Sequence, residues 1–84
     1  MKLRTRQREY EAIRFKDEIE VCHNIQEFVK DKARLICEPG RKILSTLIGN
    51  YPLKDGDIIY LAENGFCFVA KNDNTLDSYF EILE

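Results

Sequence analysis

Few side chains in this sequence are of a type and spacing suited to chemistry. Glu11 could pair with Asp57 or Asp73 as acid and base, but nothing in the sequence sets their separation. His23 is the only histidine. No motif places a serine or cysteine nucleophile beside it, so a catalytic triad is not indicated. Cys22, Cys37 and Cys67 are widely spaced and contain no Cys-x-x-Cys pair. They read as reduced, partly buried thiols rather than a zinc site, which needs four convergent ligands. The glycines form neither Gly-x-Gly-x-x-Gly nor Gly-x-x-x-x-Gly-Lys, so no phosphate-binding loop is present. No catalytic residue, metal or cofactor is implied, and the chain reads as a binding protein rather than an enzyme.

Binding groups are easier to find. Residues 1–8 carry Lys2, Arg4, Arg6 and Arg8 and no acid, within a chain of 13 basic and 15 acidic residues. That stretch reads as a flexible basic arm able to meet an acidic partner. The overall charge of −2 suits duplex nucleic acid poorly, because duplex binding needs a broad basic face. Tyr10, Arg14 and Tyr60 are candidate exposed anchors of a protein interface. A nucleotide-like ligand would need cations, an aromatic face and a carboxylate. Arg14 and Lys71, Tyr10 or Tyr79, and Glu11 or Asp73 offer these.

The elements that must position these groups fit one domain of 84 residues. A chain of this size buries only about 60–65% of its unfolded surface, so oligomerisation is a common supplement. Tyr10–Phe15 alternates as a strand, with Glu11, Ile13 and Phe15 on one face and Tyr10, Ala12 and Arg14 on the other. Residues 16–22 read as a loop or short strand. Asn24, with Glu27 three residues on, predicts a helix N-cap. Ile25, Phe28, Val29 and Ala33 then make one apolar helical face. Arg34–Glu38 is a strand, and Pro39-Gly40 a turn. Ile43–Ile48, Ile58–Leu61 and Phe66–Ala70 are read as strands of one antiparallel meander. Gly49-Asn50 reverses the chain, Pro52 marks an edge strand, and Lys54–Asp57 is a tight turn that needs Gly56.

Asn64-Gly65, taken as a type I′ turn, pairs Leu61 with Phe68, Ile59 with Ala70, Tyr60 with Val69 and Ala62 with Cys67. Both faces of that hairpin are then apolar. The second face must be covered by curling of the sheet, by the C-terminal segment or by a second copy in a dimer. Asp73 predicts the cap of a short helical turn through Asp77, and Tyr79–Leu83 a last strand. The expected fold is α+β: a small antiparallel sheet, a meander able to curl into a partly open barrel, with one amphipathic helix packed on it. With no apolar leader after Met1 and no membrane-length apolar run, a cytoplasmic location is expected.

The order of these motifs resembles a family of small proteins of tailed phages and prophages in Gram-positive bacteria. The resemblance spans nearly the whole chain. It rests on Glu11-Ala-Ile-Arg-Phe15, Asn24-Ile25 with Phe28-Val29, Thr46-Leu-Ile-Gly49, Gly56-Asp-Ile-Ile59, Gly65-Phe66, Lys71-Asn-Asp73 and Tyr79. Where that family has Tyr-Pro-Cys after the Gly-aromatic strand, this chain has Phe68-Val-Ala70. The resemblance implies action inside the bacterial cytosol by binding. The leading expectation is a protein that occludes the surface of a host defence protein. The alternatives are sequestering a nucleotide-like immune signal at a subunit junction, and a structural role in the virion or replication complex.

Overall fold

The computed structural model describes residues 1–5, 8–62, 65–73 and 80–83. Its strands are β1 (Lys2–Arg4), β2 (Glu9–Arg14), β3 (Ala33–Glu38), β4 (Arg41–Thr46), β5 (Gly49–Leu53), β6 (Ile58–Leu61), β7 (Cys67–Ala70) and β8 (Glu81–Leu83). The helix α1 (Ile19–Val29) lies between β2 and β3. The strands form two antiparallel sheets, ordered β7-β6-β2-β1-β8 and β3-β4-β5. The fold is therefore α+β, with one helix among the described residues. The expected helical turn at 73–77 falls largely outside those residues, as do Arg6, Asn64 and Tyr79.

The helix begins a turn and a half earlier than its sequence suggests. Val21 and Cys22 extend the apolar face of Ile25, Phe28 and Val29 upstream, so residues 19–22 are helical rather than a loop or strand. Asn24 is thus inside the helix and exposed, not its N-cap. Glu18 occupies the cap position in an extended conformation and makes no side-chain cap bond. The helix stops at Lys30, whose φ of 52° breaks the repeat. Ala33, expected on the helix face, opens β3 instead.

Gln26 joins the helix to the strand that follows. Its amide nitrogen donates to the carbonyls of Lys30 and Ala33 at 3.1 and 3.2 Å, and its oxygen accepts the Leu35 N–H at 2.9 Å. These bonds satisfy backbone groups that the helix end and strand start leave open. The β3–β4 hairpin turns at Pro39-Gly40, as expected, pairing Glu38 with Arg41. β5 is the edge strand of its sheet, which suits Pro52, since proline cannot donate to a ladder.

The single meander expected over 43–70 is two hairpins in two sheets. β6 pairs with β2 and β7, not with β5. The Lys54–Asp57 turn carries the chain between the sheets because it binds to the end of β2. The Phe15 N–H donates to the Asp57 carbonyl at 2.8 Å, and the Gly56 N–H to the Phe15 carbonyl at 3.0 Å. Gly56 has φ of 92°, in the region glycine favours.

The β6–β7 hairpin is shifted by one residue from the type I′ expectation. Leu61 pairs with Cys67, Tyr60 with Phe68, Ile59 with Val69 and Ile58 with Ala70. The Ala62 N–H donates to the Phe66 carbonyl at 3.0 Å, so three residues rather than two lie in the loop. Gly65, at φ of 82°, holds the left-handed position such a loop requires. The shift changes which side chains share a face. Ile59, Leu61, Cys67 and Val69 join the main core with Phe15, Ile25, Val29 and Leu44, between the two sheets and the helix. Each large aliphatic side chain buried there contributes about 1.5–3 kcal/mol.

Both faces of the hairpin are apolar, as the sequence requires. The second is covered from within the chain. Leu3, Ala12, Ile58 and Ala70 are buried together, with Tyr60, Phe80 and Ile82 packed against them. Residues 1–8, expected as a flexible arm, thus supply β1, the strand between β2 and β8. The apolar Leu3, flanked by Lys2 and Arg4, gives the alternation that fits a half-buried strand, and it is fully buried. No helix among the described residues is long and apolar enough to cross a membrane.

Candidate functional site

Asp57 sits at the junction of the two sheets and is 2% exposed. Its Oδ2 accepts the Lys54 N–H at 2.9 Å and the Lys71 ammonium at 3.1 Å, and its Oδ1 accepts the Asn72 N–H at 2.8 Å. Lys71 also donates to the Pro52 carbonyl. This set of donors satisfies the buried carboxylate. Its geometry is that of a structural tie. Asp73 lines a cavity of about 230 Å³ with Asp57 and Lys71. Glu11 does not join them. It is exposed on β2 and pairs with Lys2 at 3.7 Å, so the carboxylates considered as acid and base are not convergent.

The other expected binding groups fall into separate places. Arg4 pairs with Glu81 across the β1–β8 ladder. Arg8 is exposed, and its N–H donates to Thr5 Oγ1 at 3.3 Å. Tyr10, Arg14 and Tyr60, expected as exposed anchors, are half-buried on one face of the five-stranded sheet. The Tyr60 ring meets those of Tyr10, Phe68 and Phe80 at centroid distances of 5.3, 5.7 and 5.5 Å. Burial, with Tyr10 and Tyr51 nearby, pushes the Tyr60 phenol above its ordinary pKa. Arg14 lies on the same face, and its Nε is buried with no hydrogen-bond partner among the described residues. Glu11 is on the opposite face of β2, so, contrary to expectation, it does not join Tyr10 and Arg14.

One exposed apolar pair was not singled out from the sequence. Gly49-Asn50 does not make the reversal; Leu47 and Ile48 do. They form the two-residue tip of the β4–β5 hairpin and are 79% and 49% exposed. Thr46 Oγ1 donates to the Gly49 carbonyl at 2.9 Å and accepts the Ile48 N–H at 3.2 Å. The positive φ of the loop falls on Gly49, at 154°, which spares Leu47 and Ile48. Beside the tip is a groove of about 530 Å³ bordered by Lys30, Asp31, Arg34, Ser45 and Leu47. Among the described residues no ion pair engages Lys30 or Arg34. The signal was present in the sequence as two aliphatic residues where turn residues are usual.

No family model matches the chain, and no curated protein or solved structure shows significant similarity to it.

Proposed function

We propose that this chain is a non-enzymatic accessory binding protein of the phage or prophage type, which antagonises a host defence protein by covering part of its surface. The observation that carries the reading is the exposed Leu47-Ile48 pair on a turn held by Thr46. Two aliphatic side chains presented to solvent on a hairpin tip make an apolar anchor; Leu47 gains up to about 1.5–3 kcal/mol on burial in a partner, and the half-buried Ile48 less. Lys30 and Arg34 beside the tip suit a partner groove with an acidic rim. The phage setting rests on the resemblance of the motif order alone. Tagged protein, expressed in a bacterial host, is expected to retain one host protein, and the Leu47→Asp/Ile48→Asp variant to lose it. Equal retention by the variant would refute the assignment of the tip.

A second reading has its own observation. Arg14, whose buried Nε has no hydrogen-bond partner among the described residues, lies on the face that carries Tyr10 and Tyr60. A cation beside aromatic rings suits a nucleotide-like signal. That reading predicts a rise in melting temperature with a cyclic dinucleotide, lost in Arg14→Ala. No shift with any nucleotide would remove it.

A further inference from the structure

Cys22 and Cys37 are fifteen residues apart in sequence and line one cavity of about 430 Å³ between α1 and the three-stranded sheet. The packing of the helix explains why they meet. Gln26 is bonded to the Leu35 N–H. Cys22 lies one helical turn before Gln26, a step of about 6 Å along the axis. Cys37 lies two residues after Leu35 on the same face of β3, a step of about 6.7 Å. The short connection at 30–32 makes helix and strand antiparallel. Anchoring Gln26 at Leu35 therefore brings Cys22 and Cys37 to the same cavity wall. Across the ladder, Cys37 pairs with Lys42, whose ammonium meets Asp17 at 3.3 Å.

We propose that Cys22 and Cys37 are a modification site: a dithiol that closes into a disulfide by exchange with a low-molecular-weight disulfide, stapling α1 to β3. Cys37 is exposed and Cys22 half-buried, which sets the order of events. The Cys37 thiolate attacks one sulfur of the small disulfide, forms a mixed disulfide and expels one small thiolate. Cys22 then loses its proton to solvent and attacks Cys37 Sγ, expelling the second small thiolate. Two protein S–H bonds are replaced by one S–S bond, and the small disulfide is reduced to two thiols. Burial, then the neighbouring Cys37, holds the Cys22 thiol above its ordinary pKa, so less of it is ionised and the second step is slowed. Cys67, buried in the main core, serves as the internal control. This inference rests on the packing of α1 on β3 and is independent of the function proposed above.

The test is incubation of the full chain with oxidised glutathione, followed by intact mass and peptide mapping. The expected product is about 2 Da lighter than the reduced chain, retains no glutathione and yields a Cys22–Cys37 crosslinked peptide. It should melt several degrees higher, because the bridge constrains the unfolded chain. Cys22→Ser should keep a single glutathione on Cys37, and Cys37→Ser should show no reaction. A wild-type chain that keeps glutathione on Cys37 while Cys22 stays free would overturn the proposal, as would a Cys22–Cys67 bridge. The wild-type map decides the matter even where a variant folds poorly.

Discussion

Asp57 and Asn72 are joined by a 2.8 Å bond from the Asn72 backbone N–H to Asp57 Oδ1, which ties the start of β6 to the chain just past β7. The other oxygen of the same carboxylate binds Lys54 and Lys71. One buried side chain thus closes the turn that links the two sheets. Asp57→Ala leaves three donors without their acceptor, one of them an ammonium. A loss of about 3 kcal/mol in urea unfolding is expected. Asp57→Asn keeps one acceptor oxygen and should lose less. Equal stability of Asp57→Ala and the wild type would refute the role of the tie.

Gly56 stands against the side chain of Asn72. A Cβ placed there would come within 2.3 Å of Asn72 Nδ2, on a backbone with φ of 92°. Gly56→Ala should therefore lose about 2 kcal/mol, from the strained backbone and displacement of the Asn72 amide. Gly40 also has positive φ, but nothing lies within 4 Å of its added Cβ. Gly40→Ala is expected to lose less in the same urea titration.

The Tyr60 phenol predicts an alkaline weakness. Its pKa is raised from 10.0, first by burial and then by Tyr10 and Tyr51. In the unfolded chain the phenol ionises near the ordinary value, while the folded chain still holds its proton. The folded state then binds more protons, so stability falls with rising pH. The contribution is complete below the unfolded value and is lost as pH climbs through the raised folded value. Cys22 and Cys67, raised from 9.0 mainly by burial, act in the same direction at slightly lower pH. The melting temperature should fall above about pH 9, and Tyr60→Phe should flatten the part of the fall above about pH 10 while keeping the ring contacts. An identical profile for Tyr60→Phe would contradict the assignment.

The parts of the fold that depend on neighbouring residues were legible in the sequence. The alternation of residues 10–15, the Pro39-Gly40 turn, the edge position of Pro52 and the need for Gly56 are all settled within a few residues. The two apolar faces of the β6–β7 hairpin could also be read directly. The rest depends on competition at longer range. The capping pattern at Asn24 lost to the longer apolar face that begins at Val21. The register of the hairpin was set by a three-residue loop, although Asn64-Gly65 also fits a two-residue one. Leu3 between two cations looked like an arm until β2 and β8 gave it partners. That Cys22 and Cys37 line one cavity follows from Gln26 bridging helix and strand, which no local pattern announces.

The hairpin tip is expected to be dispensable for folding. Leu47→Ser removes a side chain that is mostly in solvent and Ile48→Ser one that is about half in solvent, and each should alter stability by no more than about 0.5 kcal/mol. A large loss for either would mean that the tip supports the fold itself and would weaken its reading as an anchor.

The most direct measurement is site-specific photocrosslinking from position 47 in bacteria that express the chain. A photoreactive phenylalanine there replaces an exposed side chain without touching the core. The account predicts one discrete adduct to a single host protein, abolished by Ile48→Asp and weakened by Lys30→Glu/Arg34→Glu. No adduct from position 47, together with a strong one from position 10 on the aromatic face, would contradict it and move the binding surface to the five-stranded sheet.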